Sequence, residues 1–311
     1  MSAEVQETSV QQQNRWVRPL LFVLGIVVIS IIFMFIANFI AQARGASTFD
    51  TTKWMPFLLV GAVIAYGLGV AFGDPALWSV ETRQVVYAAV GAALYGVFSW
   101  ATNIFLVPSV SLVTVRPAIV IPVFFGFVYG PSVGFLTGFV GNALGDALTG
   151  WGVFPVWDFG NGLIGLIPGL VLAFRNRTRA SDIALGLVAV VAILASVWLL
   201  VGSDVVSPLS GATVDKWVAL TLIGGLLIIA GLRYGLRNRP EIASAQVWGG
   251  LAVFLGIGFA SMADIWWNGY NFTTAFVGEF VPAAGTDLLN VAILLPILLT
   301  AWNAAQARTG R

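Results

Sequence analysis

Asn142 and Asp146, four residues apart in GNALGDALTG, share one face if that apolar segment is a helix. A carboxylate inside a membrane is costly and by default points to a working site. Its chemistry would be to accept a charge-assisted hydrogen bond from a ligand amine or ring N–H; the alternative is a structural role, capping the next turn or bonding a neighbouring backbone. Counted from Pro131, Asp146 stands about 22 Å along at 1.5 Å per residue, in the outer third of the layer. Other polar groups collect at that level: Asn103, Arg116 in VTVRPA, Asp158 and Asn161 in WDFGNG, Asp264, the loop from Trp266 through Trp267, Asn268 and Tyr270 to Asn271, then Glu279 and Asp287. Trp151, Trp157 and Trp267 stand among them, and aromatic walls with a few convergent polar groups describe a small-molecule pocket. The substrate-binding set expected from this is Asn103, Arg116, Asn142, Asp146, Trp151, Trp157, Asp158, Asn161, Trp267 and Asn271.

Much other chemistry is excluded by residue type. The chain has no Cys and no His, which removes disulfides, thiol catalysis, iron–sulfur clusters, His-ligated metals and His-based triads. Neither lysine, Lys53 or Lys216, ends a glycine-rich phosphate loop, so ATP-driven work would need another subunit. No catalytic residue, cofactor or metal site is expected, and no nucleic-acid partner. An intramembrane aspartyl protease would need paired aspartates, but Ala143 stands where its GxGD pattern wants glycine. A proton-coupled secondary transporter using Asp146, Asp264 and Asp287 is the stronger rival.

The elements that must position these residues are membrane helices. Of 311 residues, 59% are hydrophobic and 9% charged, against about 25% charged in a soluble domain. Apolar runs place ten helices, at 19–41, 55–73, 84–106, 117–130, 131–149, 160–174, 183–202, 216–236, 246–266 and 283–304. The expected fold is thus an all-α polytopic membrane protein, with residues 1–18 a cytoplasmic tail. With the N terminus inside, Arg15, Arg18, Arg83, Arg175, Arg177, Arg179, Arg233, Arg237, Arg239, Arg308 and Arg311 all fall inside. Only Arg44, Lys53, Arg116 and Lys216 fall outside, which supports an even count with both termini cytoplasmic in the cell membrane. Glycines crowd residues 126–169 in small-xxx-small rows, marking a closely packed central unit. On the third helix Ala88, Ala92 and Gly96 form one small stripe with Ala89 and Ala93 beside it, suited either to a partner helix lying flat or to internal packing.

The alanine-striped helix, a long outer loop, RPAIVIPVFFGFVYGPSVGFLTGFVGNALGDALTG, WDFGNGLIGLIPGL and a final FVPAAGTDLLNVAILLPILL together resemble the substrate-binding S component of energy-coupling-factor (ECF) vitamin transporters, over about 77–175 and 245–305. The resemblance implies a six-helix protein that captures a vitamin-like molecule in its outer half. It also implies a transmembrane coupling subunit and two cytoplasmic ATPases as partners, with Ala88, Ala92 and neighbouring Ala89, Ala93 and Gly96 meeting the coupling subunit. Four helices exceed the family's six and are assigned to an N-terminal hairpin within 19–76 and an insertion at about 183–238 in the core, 77–311. For the substrate, lack of His argues against nickel or cobalt. The excess of outer acids over bases disfavours polyanions such as folates. A neutral or cationic heteroaromatic remains, such as riboflavin, a thiamine precursor or a queuosine precursor.

Overall fold

The computed structural model describes residues 3–43, 51–72, 75–78, 81–202, 204–207, 211–236 and 238–309. Arg44, Arg237 and Arg311, used in the charge argument above, lie outside the described residues. The helices are α1 (Ala3–Ala43), α2 (Thr51–Ala71), α3 (Thr82–Thr102), α4 (Val120–Tyr129), α5 (Pro131–Thr149), α6 (Pro155–Gly169), α7 (Arg177–Val201), α8 (Val218–Gly235), α9 (Pro240–Trp267), the single turn α10 (Phe272–Ala275) and α11 (Val281–Thr309). There is no strand among the described residues beyond two isolated bridges, Leu106 with Thr114 and Val206 with Thr213. Seven segments are long and apolar enough to cross a membrane, and two shorter apolar helices, Met55–Ala71 and Pro117–Tyr129, accompany them. The protein is a polytopic all-α membrane protein.

Several helices begin earlier than the apolar runs suggest, because their first turns are polar. Pro155 and Pro240 occupy the first turns of α6 and α9, where a missing N–H costs nothing. Asn176 caps α7 by accepting from the Arg179 N–H at 3.0 Å. The segment read as a tail is helical from Ala3. At its far end α5 stops on Gly150, whose φ of 82° is open to glycine at little cost.

Helix α6 lies at the centre, buried along almost its whole length between α4, α5 and α9. Glycine is what allows this. A Cβ on Gly126 or Gly134 would fall on the carbonyl oxygen of Gly165, and one on Gly160 would meet the carbonyl of Gly256, so three helices touch α6 backbone to backbone. The α1–α2 hairpin packs on one side of this unit, where Phe159 of α6 fills the space above Gly61. The α7–α8 hairpin packs on α9 and α11. It is tied there by the Trp248 N–H donating to Ser181 Oγ at 3.2 Å, and Arg233 meets Asp182 at 2.7 Å. Trp78 and Trp248 are buried fillers beside Phe22 and Phe174.

The small stripe on α3 divides. Ala88, Ala92 and Gly96 turn inward with Gly91, Tyr95 and Ser99 onto α5, where Gly141 and Gly145 receive them; only Ala89 and Ala93 are exposed. Of the two readings of the stripe, internal packing describes Ala88, Ala92 and Gly96, since the glycine row of α5 needs them as its partners. Ala88→Leu with Ala92→Leu should therefore lower the thermal midpoint of the purified protein, at about 1–3 kcal/mol per overpacked site. Ala89→Leu with Ala93→Leu should leave it unchanged, and equal midpoints for the two pairs would reject the assignment.

Candidate functional site

The ends of α3, α5, α7 and α9 and the starts of α4, α6, α8 and α11 meet at one end of the bundle, opposite the arginine-bearing turns before α7 and α9. A cavity of about 290 Å³ opens there. Arg116 enters it because α4 is short: ten residues reach only about 15 Å, so the chain between α3 and α4 dips into the bundle before the helix begins. Pro117 then starts a tight turn, and Arg116 is held at the depth of Asn142.

One polar network runs through the wall. The Arg116 Nη1–H donates to Asn142 Oδ1 at 2.6 Å, and Nη2 lies 3.7 Å from Asp287 Oδ2 on α11. Asn142 donates from Nδ2 to Asp146 Oδ2 at 3.0 Å and to Asp158 Oδ1 at 2.8 Å. Asn142 thus uses its carbonyl for the guanidinium and its amide for two carboxylates of α5 and α6, a full use of its capacity in a buried place. One arginine is surrounded by three aspartates.

A second group faces it. Trp157 donates its indole N–H to Asp264 Oδ2 at 3.0 Å, and Glu279 stands beside Asp264. Glu279 belongs to a π-turn, Phe276–Phe280, that precedes α11; such one-turn widenings occur often at functional sites because they re-aim a side chain. The turn also holds the loop between α3 and α4: the Val110 N–H donates to the Gly278 carbonyl at 2.9 Å, and the Tyr270 hydroxyl donates to the Val110 carbonyl at 3.3 Å. Any side chain at position 278 would collide with Val110 and Val205.

Of the residues expected from sequence, Arg116, Asn142, Asp146, Trp151, Trp157 and Trp267 line the cavity. Asp158 stands behind the wall on Asn142. Three are placed elsewhere. Asn103 donates to Thr149 at 2.8 Å and accepts from Thr114, binding the end of α3 to α5 and the loop. Asn161 accepts from the Tyr95 hydroxyl at 2.6 Å inside the helix packing, and Asn271 caps α10 by accepting from the Thr274 N–H. Asp264, Tyr270, Glu279 and Asp287 line the cavity without having been in that set. Their signal was present, acids inside apolar runs, but the helices that carry them lie beyond a long intervening hairpin.

Residues 79–230 match the family model of the ECF-type riboflavin transporter S component. A UPF0397 protein of Aliivibrio fischeri strain MJ11 is 40% identical over 103 residues, covering 33% of this chain and 55% of the relative. One of Vibrio atlanticus is 36% identical over 123 residues, covering 39% and 66%, and one of Aliivibrio salmonicida 40% identical over 99 residues, covering 32% and 53%. The chain therefore spans little more than half to two thirds of the length of these relatives. No solved structure matches it. The matched segment takes in α3 to α7 and most of α8, whereas the far wall of the cavity comes from α9 and α11, beyond it. The segment that carries Arg116, Asn142 and Asp146 is thus the part of the chain that is similar to the ECF-type S-component family.

Proposed function

We propose that this chain is the substrate-capture subunit of an ECF-type importer, taking a vitamin-like small molecule from outside into the cavity at the loop end. The observation that carries this reading is the buried network of Arg116, Asn142 and Asp146 in the cavity wall, at the end away from the arginine-rich turns. The positive-inside bias makes that end the outer one and both termini cytoplasmic. Energy would come from two cytoplasmic ATPases through a transmembrane coupling subunit. Ala89 and Ala93, small and exposed among Val86, Val90 and Val97, offer that subunit a flat strip of α3. In this reading α9, packed on α6, and α11 complete the cavity, although the family match runs through α7 into α8 and stops short of both.

Mass spectrometry of small molecules co-purified with the detergent-solubilised chain should identify the substrate. With it, Asp146→Asn keeps the shape and removes a charge, and affinity should fall about ten- to a hundredfold if Asp146 bonds the ligand directly. An unchanged affinity with a lowered thermal midpoint would assign Asp146 to the fold. Uptake that persists after ATP depletion while the proton gradient is maintained would reject the ATP-driven reading in favour of proton coupling.

A further inference from the structure

The cavity's charges do not balance. Asp146, Asp264, Glu279 and Asp287 line it against the single cation Arg116. Arg116 is committed to the Asn142–Asp287 side, with Asp146 and Asp158 on the same network. Across from it, among the described residues, Asp264 and Glu279 have no arginine or lysine within ion-pair distance. One Asp264 oxygen is engaged by the Trp157 indole. Glu279 is fully buried and faces the cavity beside Asp264 and the Ser111 hydroxyl, and neither of its carboxylate oxygens has a hydrogen bond of good geometry to a donor. A buried carboxylate left without partners costs several kcal/mol unless a cation or donor joins it. The rings around it are of the kind that hold cations: Trp157, Trp267 and Tyr270 line the same side of the cavity.

Resting on the proposed capture function, we infer that Glu279, with Asp264, is the counter-charge for a nitrogen cation, so that the substrate carries an ammonium, amidinium or protonated ring with at least two N–H donors. Glu279 offers its carboxylate oxygens and Asp264 one more beside them, which suits a planar or compact donor that can bridge both carboxylates. The Arg116 network then holds the ligand's polar remainder, and the tryptophans cover its faces.

The test uses a matched pair of probes, benzamidinium and its neutral counterpart benzamide, titrated into the full chain in lipid nanodiscs and followed by tryptophan fluorescence and calorimetry. Benzamidinium should bind at least tenfold more tightly than benzamide. Glu279→Gln and, separately, Asp264→Asn should each reduce benzamidinium binding about tenfold or more while moving benzamide little; two sites keep the test open if one variant fails to fold. Equal binding of the two probes, or no response to benzamidinium, overturns the inference. So does co-purification of a neutral or anionic compound whose affinity survives Glu279→Gln, an outcome that leaves the capture function itself standing. Failure of the capture function reads differently: no co-purified compound and no substrate-dependent uptake in cells expressing the coupling subunits.

Discussion

Arg116→Gln should cost the folded protein about 3–5 kcal/mol, the expected loss when one partner of a buried ion pair is removed and the other charge stays behind. The guanidinium is the sole positive group on the network, its side chain 14% exposed, and its removal leaves Asp287, at 2% exposure, without its cation and Asn142 without its 2.6 Å donor. The thermal midpoint of the purified protein measures the effect. An apolar double replacement, Arg116→Met with Asp287→Leu, removes this pair's two charges together and should recover part of the loss, the part due to Asp287, while Asp146 and Asp158 still lack a cation. A single variant as stable as the parent, or a double variant worse than the single, would show that this pair does not hold the wall.

The second large effect is expected at Gly165→Ala. The added methyl would occupy the position of the Gly134 carbonyl oxygen, and neither backbone can swing away as a side chain end could. Helices α5 and α6 must then separate along their closest contact, at about 1–3 kcal/mol or more, with poor recovery of folded monomer in size-exclusion chromatography. Gly186→Ala is the control. Nothing lies within 4 Å of a methyl there, so the helix should gain up to about 1 kcal/mol from the better helix former. Equal outcomes at the two positions would mean that the glycine seam is not what brings these helices together.

How far residues alone could reach is visible at particular positions. The helices were legible because apolar runs in a membrane protein are read by length, and the glycine row of 126–169 announced its close packing. Helix starts were missed wherever a polar first turn was supported by a cap or a proline, as at Asn176, Pro155 and Pro240. Within the site, Asn142 and Asp146 were readable from a spacing of four along one helix. Asn103 and Asn161 share their chemistry and approximate level, but which way a side chain points depends on the rotation of neighbouring helices, and both turn into helix–helix contacts. Glu279 was the hardest, since its aim depends on a π-turn that no periodicity in the sequence marks. The alanine stripe shows the same ambiguity from the other side: small residues permit close approach without saying whether the neighbour is part of the same chain.

The pinning of Val110 has a kinetic meaning. The loop that carries it forms part of the cavity wall, and its tip is held by two hydrogen bonds, to Gly278 and from Tyr270. Two such bonds are together worth about 1–3 kcal/mol net, which lowers the population of a released form by roughly five- to a hundred-and-fiftyfold. Passage through that wall in either direction is slowed by the same factor. A bound molecule's exchange through that wall is thereby slowed without any change in its equilibrium affinity.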